Sequence, residues 1–172
     1  GYEIEFDLQE FYLNFYKKSI KSQDVIKSFF LGITFYKEIN KGEKINKKRE
    51  GVYDGSQMNF FKNLSEKDWG KDKFLFFFGS MQSNPDLYFT ITTESNVKKI
   101  VLTNNQVDKV LLLDKPKFYA AFNVLYKKRE QSKVVFLDDT FYIDEFGNNS
   151  NPGAIEFSGA MGKDRLGDML PM

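Results

Sequence analysis

The chain has 172 residues with no cysteine and no histidine, and its 25 Lys and Arg against 24 Asp and Glu leave a formal charge of +1. Disulfides, thiolate metal sites, the usual zinc sites and Ser-His-Asp or Cys-His catalysis are thereby excluded. The near-neutral balance argues against bulk electrostatic capture of nucleic acid or of an anionic membrane.

A chain of this length suits one domain, since about 70% of the unfolded surface is buried at that size, and residues 1–172 are read as a single unit. The longest apolar run is Phe74–Phe78, far short of the 18 or so residues of a bilayer span. The chain opens at Gly1-Tyr2 without Met or an apolar leader. It is read as bacterial, with a leader already removed and a periplasmic or cell-envelope location expected over a cytoplasmic one. Aromatics reach 17%, with 19 Phe, alongside abundant Lys, Asn and Ile. That combination reads first as an AT-rich coding bias and only second as a ring-lined binding face.

In chain order, Leu8, Phe11, Tyr12, Phe15 and Tyr16 fall on one helical stripe, with Asp7 and Glu10 as a capping box. A first helix is predicted there. A second is expected from a Ser22 cap through Val25, Ile26, Phe29 and Phe30, ending at Gly32. A strand over 33–39 and a solvated, charged loop over 40–50 follow. A third helix is predicted over 56–64, with one more turn around Trp69. From residue 73 the pattern becomes extended. Strands are expected over 74–78, 87–93, 98–103, 107–113, 117–127, 134–143 and 154–158, with a tight turn at Asn104-Asn105. The fold class that results is α+β, with N-terminal helices packed on a mainly antiparallel, curved β-sheet. The stretch from Gly159 is read as an extended tail.

Little in the chain carries chemistry. Asp138, Asp139 and Asp144, near Gly147, Asn148 and Asn149, have the oxygen donors that a hard cation needs, but neither an EF-hand nor a repeated calcium motif is present. The competing reading is a hairpin built from turn-forming residues. Ser95-Asn96-Val97-Lys98 spells S-x-x-K, yet lies between expected strands rather than on a helix. No phosphate-binding glycine loop occurs, and no cofactor is expected. The ligand-binding candidates are Trp69, Tyr119 and Tyr142, aromatic side chains read as lining a pocket or sheet face.

The run Phe11-Tyr12-Leu13-Asn14-Phe15-Tyr16-Lys17-Lys18-Ser19-Ile20, then Lys21-Ser22-Gln23-Asp24-Val25, resembles the opening of the NTF2-like superfamily of cone-shaped α+β domains. The resemblance implies a curved sheet with helices on its concave side around an apolar pocket. That superfamily holds enzymes, ligand binders and protein-binding modules, so it selects no function. A non-catalytic binding or accessory domain is the leading expectation, its partner a small ligand or a protein. One rival is a hydrolase or isomerase running on Asp138, Asp139, Asp144 and Tyr142. The other is a structural subunit burying its aromatics against another protein or a second copy, as a homodimer.

Overall fold

The computed structural model describes residues 2–18, 21–39, 42–103, 111–112, 115–116 and 120–163. They fall into two compact units, Gly1–Lys47 and Lys48–Met172.

The first unit corrects the expected fold class: the N-terminal residues form a long β-ribbon, not helices. β1 (Tyr2–Phe15) and β2 (Val25–Glu38) pair antiparallel from Tyr2↔Glu38 to Phe15↔Val25. The intervening turn is closed by the Tyr16 N–H donating to the Asp24 carbonyl at 2.8 Å and by a Lys17–Asp24 ion pair at 3.3 Å. Ser22 starts only a three-residue 3-10 turn. The physical reason lies in the period. Tyr2, Ile4, Phe6 and Leu8 alternate strictly with Glu3, Glu5, Asp7 and Gln9, which is a strand signal. A register shift between Leu8 and Glu10 then inserts Gln9 as a bulge. The apolar positions on that face move from even to odd numbers, to Phe11 and Leu13. Two strand segments out of phase by one residue imitate the i, i+3, i+4 spacing of a helix. Gly32 is not a helix end either. It lies within β2 opposite Leu8, and a Cβ there would sit 2.5 Å from the Asp7 carbonyl oxygen and 2.6 Å from the Phe6 ring.

Residues 43–53, expected in part as a solvated loop, form helix α1 (Glu43–Tyr53), with no buried residue. The solvation was legible; the helix follows from its Glu, Lys and Arg, which are good helix formers.

The helix expected over 56–64 is present in the second unit. α2 (Gln57–Glu66) is capped by Ser56, whose Oγ accepts the Asn59 N–H at 3.2 Å, and ends where Lys67 turns left-handed at φ 57°. Trp69 therefore lies beyond the helix, not in a further turn. A five-stranded antiparallel sheet follows, in the order β12-β10-β9-β3-β4, from β3 (Phe74–Phe78), β4 (Met81–Gln82), β9 (Ala120–Tyr126), β10 (Glu130–Phe136) and β12 (Ile155–Gly159). A three-stranded sheet, β11-β6-β5, is built from β5 (Phe89–Glu94), β6 (Val97–Leu102) and β11 (Thr140–Ile143). β7 (Leu111–Leu112) and β8 (Lys115–Pro116) pair with each other. The turn expected at Asn104-Asn105, the remainder of the strand expected over 107–113 and the tail from 164 lie outside the described residues. The strand expected over 134–143 is two strands in different sheets, separated by a bend at residues 137–139.

The core of this unit is an aromatic lattice. Ala120, Phe122, Val124 and Tyr126 alternate inward along β9. Phe122 meets Phe76 at 4.5 Å, Phe89 at 5.8 Å and Phe136 at 6.0 Å between ring centroids. Phe136 stacks on Phe141 at 5.6 Å, joining the two sheets. Phe60 of α2 meets Phe74 edge-on at 5.5 Å.

Candidate functional site

Trp69 is part of the core edge: its ring lies 6.1 Å from Phe60 and 6.0 Å from Phe76. Tyr142 is half-buried on β11, opposite Lys99 of β6, with the Lys99 ammonium 5.9 Å from its ring centroid. Tyr119 lies outside the described residues. Trp69 and Tyr142 have separate neighbours, and neither lines the polar cleft described below.

The acidic residues are engaged in building turns. Asp144 accepts the N–H groups of Phe146 and Asn148 at 2.9 Å each, and its other oxygen accepts Asn148 Nδ2 at 2.8 Å. Asp138 accepts the Asp139 N–H and, through its second oxygen, Asn151 Nδ2. Asp139 accepts the Thr140 hydroxyl at 2.9 Å. Gly147, at φ 90°, lets the 144–150 turn approach α2 closely, where a Cβ would be 2.5 Å from the Met58 carbonyl oxygen. Among the described residues no group of three or more acidic side chains is placed to hold a metal ion.

Sequence reasoning missed a polar cleft of about 330 Å³ beside α2 and the end of β9. α2 presents Asn59 and Asn63 to it, an i, i+4 polar pair beside the apolar Phe60, Phe61 and Leu64. Asn63 Nδ2 donates to the Asn59 carbonyl at 2.7 Å and to Asn59 Oδ1 at 2.6 Å, while Asn63 Oδ1 is buried with no hydrogen-bond partner among the described residues. Lys127 donates to Asp54 at 2.5 Å and lies 5.0 Å from the Tyr126 ring centroid; Lys73 pairs with Asp68. The inward polar pair on α2 was the one readable signal for this cleft. The Asp54–Lys127 contact, 73 residues apart in sequence, was not.

Two phenols and one amine of the cleft hold their protons more tightly than usual. A tyrosine base must give up its proton near neutrality, and a nucleophilic lysine must be neutral. Burial, then the charges of Glu66 and Asp54, hold the Tyr53 phenol above its ordinary value. Burial also raises Tyr126, opposed in part by its hydrogen bond with Lys127. The hydrogen bond to Asp54, then that to Tyr126, pushes Lys127 up and keeps it an ammonium ion. Both phenols stay protonated and the amine stays charged.

The other surface of note is the ribbon. Of the fifteen exposed large hydrophobic residues among the described ones, twelve lie between Ile4 and Ile39. From the pairing register, one ribbon face carries Tyr2, Ile4, Phe6, Leu8, Phe11 and Leu13 from β1 with Phe30 and Tyr36 from β2. The opposite face is split lengthwise. β1 contributes Glu3, Glu5, Asp7 and Glu10, and β2 contributes Phe29, Leu31, Ile33 and Phe35. Tyr12 stacks on Phe29 at 4.9 Å on that face. Ten exposed apolar side chains on two paired strands exceed what scattered surface residues account for. The described residues of the segment that carried the NTF2-like resemblance, 11–18 and 21–25, belong to this ribbon and its turn. No helix among the described residues is long and apolar enough to cross a membrane. In comparisons with known proteins, no family model, no curated protein and no solved structure matches the chain.

Proposed function

We propose that this chain is a non-catalytic binding or accessory domain, in which the second unit is a stable scaffold and the N-terminal ribbon is the element that contacts another polypeptide. The observation that carries this reading is the concentration of exposed apolar side chains on β1 and β2, from Ile4 to Phe35. A two-stranded hairpin is marginally stable in water by itself and gains stability when strands or a packing surface are added. Removing the remaining exposure of each large side chain contributes about 1 kcal/mol. The raised phenols and the charged lysine of the cleft support a scaffold role for that region, since none of the three is poised to move a proton near neutrality.

Hydroxyl-radical footprinting in the protein's native cells, compared with the dilute purified chain, tests the reading. Phe11, Tyr12 and Phe35 are expected to be protected in cells, while exposed Met81 of β4 labels equally in both settings. Equal labelling of the ribbon aromatics in the two settings would sink it.

A further inference from the structure

The lining of the polar cleft beside α2 has its donors and acceptors out of balance. Two of its lysines are engaged, Lys127 with Asp54 at 2.5 Å and Lys73 with Asp68. Asn63 Nδ2 is engaged by the backbone carbonyl and the Oδ1 of Asn59, at 2.7 and 2.6 Å. A backbone carbonyl only accepts, so the nitrogen end of the Asn63 amide must face it and the oxygen end is left over. That Oδ1 has no hydrogen-bond partner among the described residues, although Asn63 is only 7% exposed. A buried acceptor in that condition carries its full desolvation cost until a donor arrives.

Two other groups of the lining are unmatched in the same sense. Glu66 follows Asn63 by three residues on one side of α2, and Asp72 precedes β3. Both are exposed, and neither makes an ion pair among the described residues. Against them stands Lys62, the one cation of the lining without a carboxylate partner among the described residues. Burial, then the charges of Glu66 and Asp54, hold the Tyr53 proton, so the carboxylate field extends across that side of the cleft. Acceptors and negative charge are in excess, and the complement is a positively charged donor.

We propose that the cleft binds a small organic cation through a primary ammonium group, with Asn63 Oδ1 as the buried acceptor and Glu66 and Asp72 as the charges at its mouth. An ammonium group combines three donors and a positive charge in one compact head. A metal ion fits less well, since among the described residues no group of three or more acidic side chains is placed to hold one. An anion would face two unpaired carboxylates for one lysine. The volume, about 330 Å³, lies at the lower end of small-molecule sites and admits an alkylamine. Oδ1 is covered in the empty cleft, and a side-chain rotation of the kind common on binding turns it to the ligand. The site lies wholly within the second unit and does not depend on the ribbon.

The test is a titration of the isotope-labelled full chain with butylammonium, butanol or butyrate into the millimolar range, at neutral pH and fixed ionic strength, followed by NMR. Saturable shifts of the Asn63 side-chain amide and the Glu66 backbone amide are expected with butylammonium and with neither other probe. Glu66→Gln should weaken binding about threefold, and Lys62→Met should tighten it by a similar factor. Asn63→Leu, which removes the acceptor, should weaken it about tenfold or more. If Asn63→Leu does not fold, the Glu66 and Lys62 variants decide. Equal shifts with butanol overturn the ammonium group as the feature recognised. Binding of butyrate that Lys62→Met abolishes makes the cleft an anion site and overturns the proposal outright. Absence of saturable shifts with all three probes leaves Oδ1 to a buried water and removes the site. Butylammonium binding that the folded variants leave unchanged places it elsewhere on the chain, with the same consequence.

Discussion

Phe60 in α2 and Phe35 in β2 are the same amino acid at opposite ends of the exposure scale, 0% and 61%. The contrast extends to the units around them. Every buried hydrophobic residue among the described ones lies at Phe60 or later, where two sheets and α2 close over a single aromatic cluster. The ribbon uses the same Phe, Tyr and Ile and buries none of them fully. Three or more strands with a covered face form an interior, whereas two strands make only a surface. Apolar content by itself therefore does not define a core. The number of layers that the chain can bring over an apolar face does.

The largest expected effect separates the units directly. Phe60→Ala removes a ring that touches Phe61, Trp69, Phe74 and Phe157 and should cost about 3–5 kcal/mol in urea unfolding, through lost burial and the cavity left behind. Phe35→Ala, measured at dilution, should change unfolding by no more than about 0.5 kcal/mol. Comparable losses at the two positions would erase the distinction between scaffold and ribbon.

Two glycines sharpen it. Gly147→Ala forces a side chain into φ 90° and against the Met58 carbonyl, so a loss of about 1–3 kcal/mol is expected in the global transition of the second unit. Gly32→Ala meets the Asp7 carbonyl and the Phe6 ring. Its effect should be confined to faster exchange of β1 and β2 amides, with the global urea midpoint unmoved. A Gly32→Ala shift in that midpoint as large as that of Gly147→Ala would mean that the ribbon and the scaffold unfold as one.

The same difference explains what the sequence made legible. Phe74–Phe78, the 120–126 alternation and the Ser56-capped helix were readable because each element has one partner layer and one period. The ribbon was misread because a single bulged residue, Gln9, shifts a period of two into a likeness of 3.6. The 134–143 segment was read as one strand because Leu137, Asp138 and Asp139 carry no Gly or Pro to mark the bend. Asp138 makes that bend by accepting the next residue's N–H, and the chain passes into the other sheet. Of the candidate ligand residues, Trp69 was legible only as an aromatic, and its place beside Phe60 and Phe76 depends on how α2 meets β3. The cleft was harder still, since Asp54 and Lys127 meet through long-range pairing that no local pattern encodes.

The smallest expected effect concerns that cleft and belongs to the scaffold alone. Tyr53, Tyr126 and Lys127 all hold their protons more tightly in the folded chain than their ordinary values of 10.0, 10.0 and 10.5. A group whose folded value is raised contributes its full stability below the unfolded value and loses it as pH climbs through the folded one. Stability should therefore be level up to about pH 9–10 and decline above it. At neutral pH, Lys127→Met should cost only about 0–1 kcal/mol, because the Asp54–Lys127 pair is nearly half-exposed and water screens it. Tyr126→Phe removes a raised phenol, so its urea midpoint should fall less between pH 9 and 11 than that of the parent chain. Equal declines in the two proteins would mean that burial of the Tyr126 hydroxyl adds nothing to the alkaline limb. The cleft would then be a solvated surface feature with no more claim on the scaffold's stability than the ribbon has.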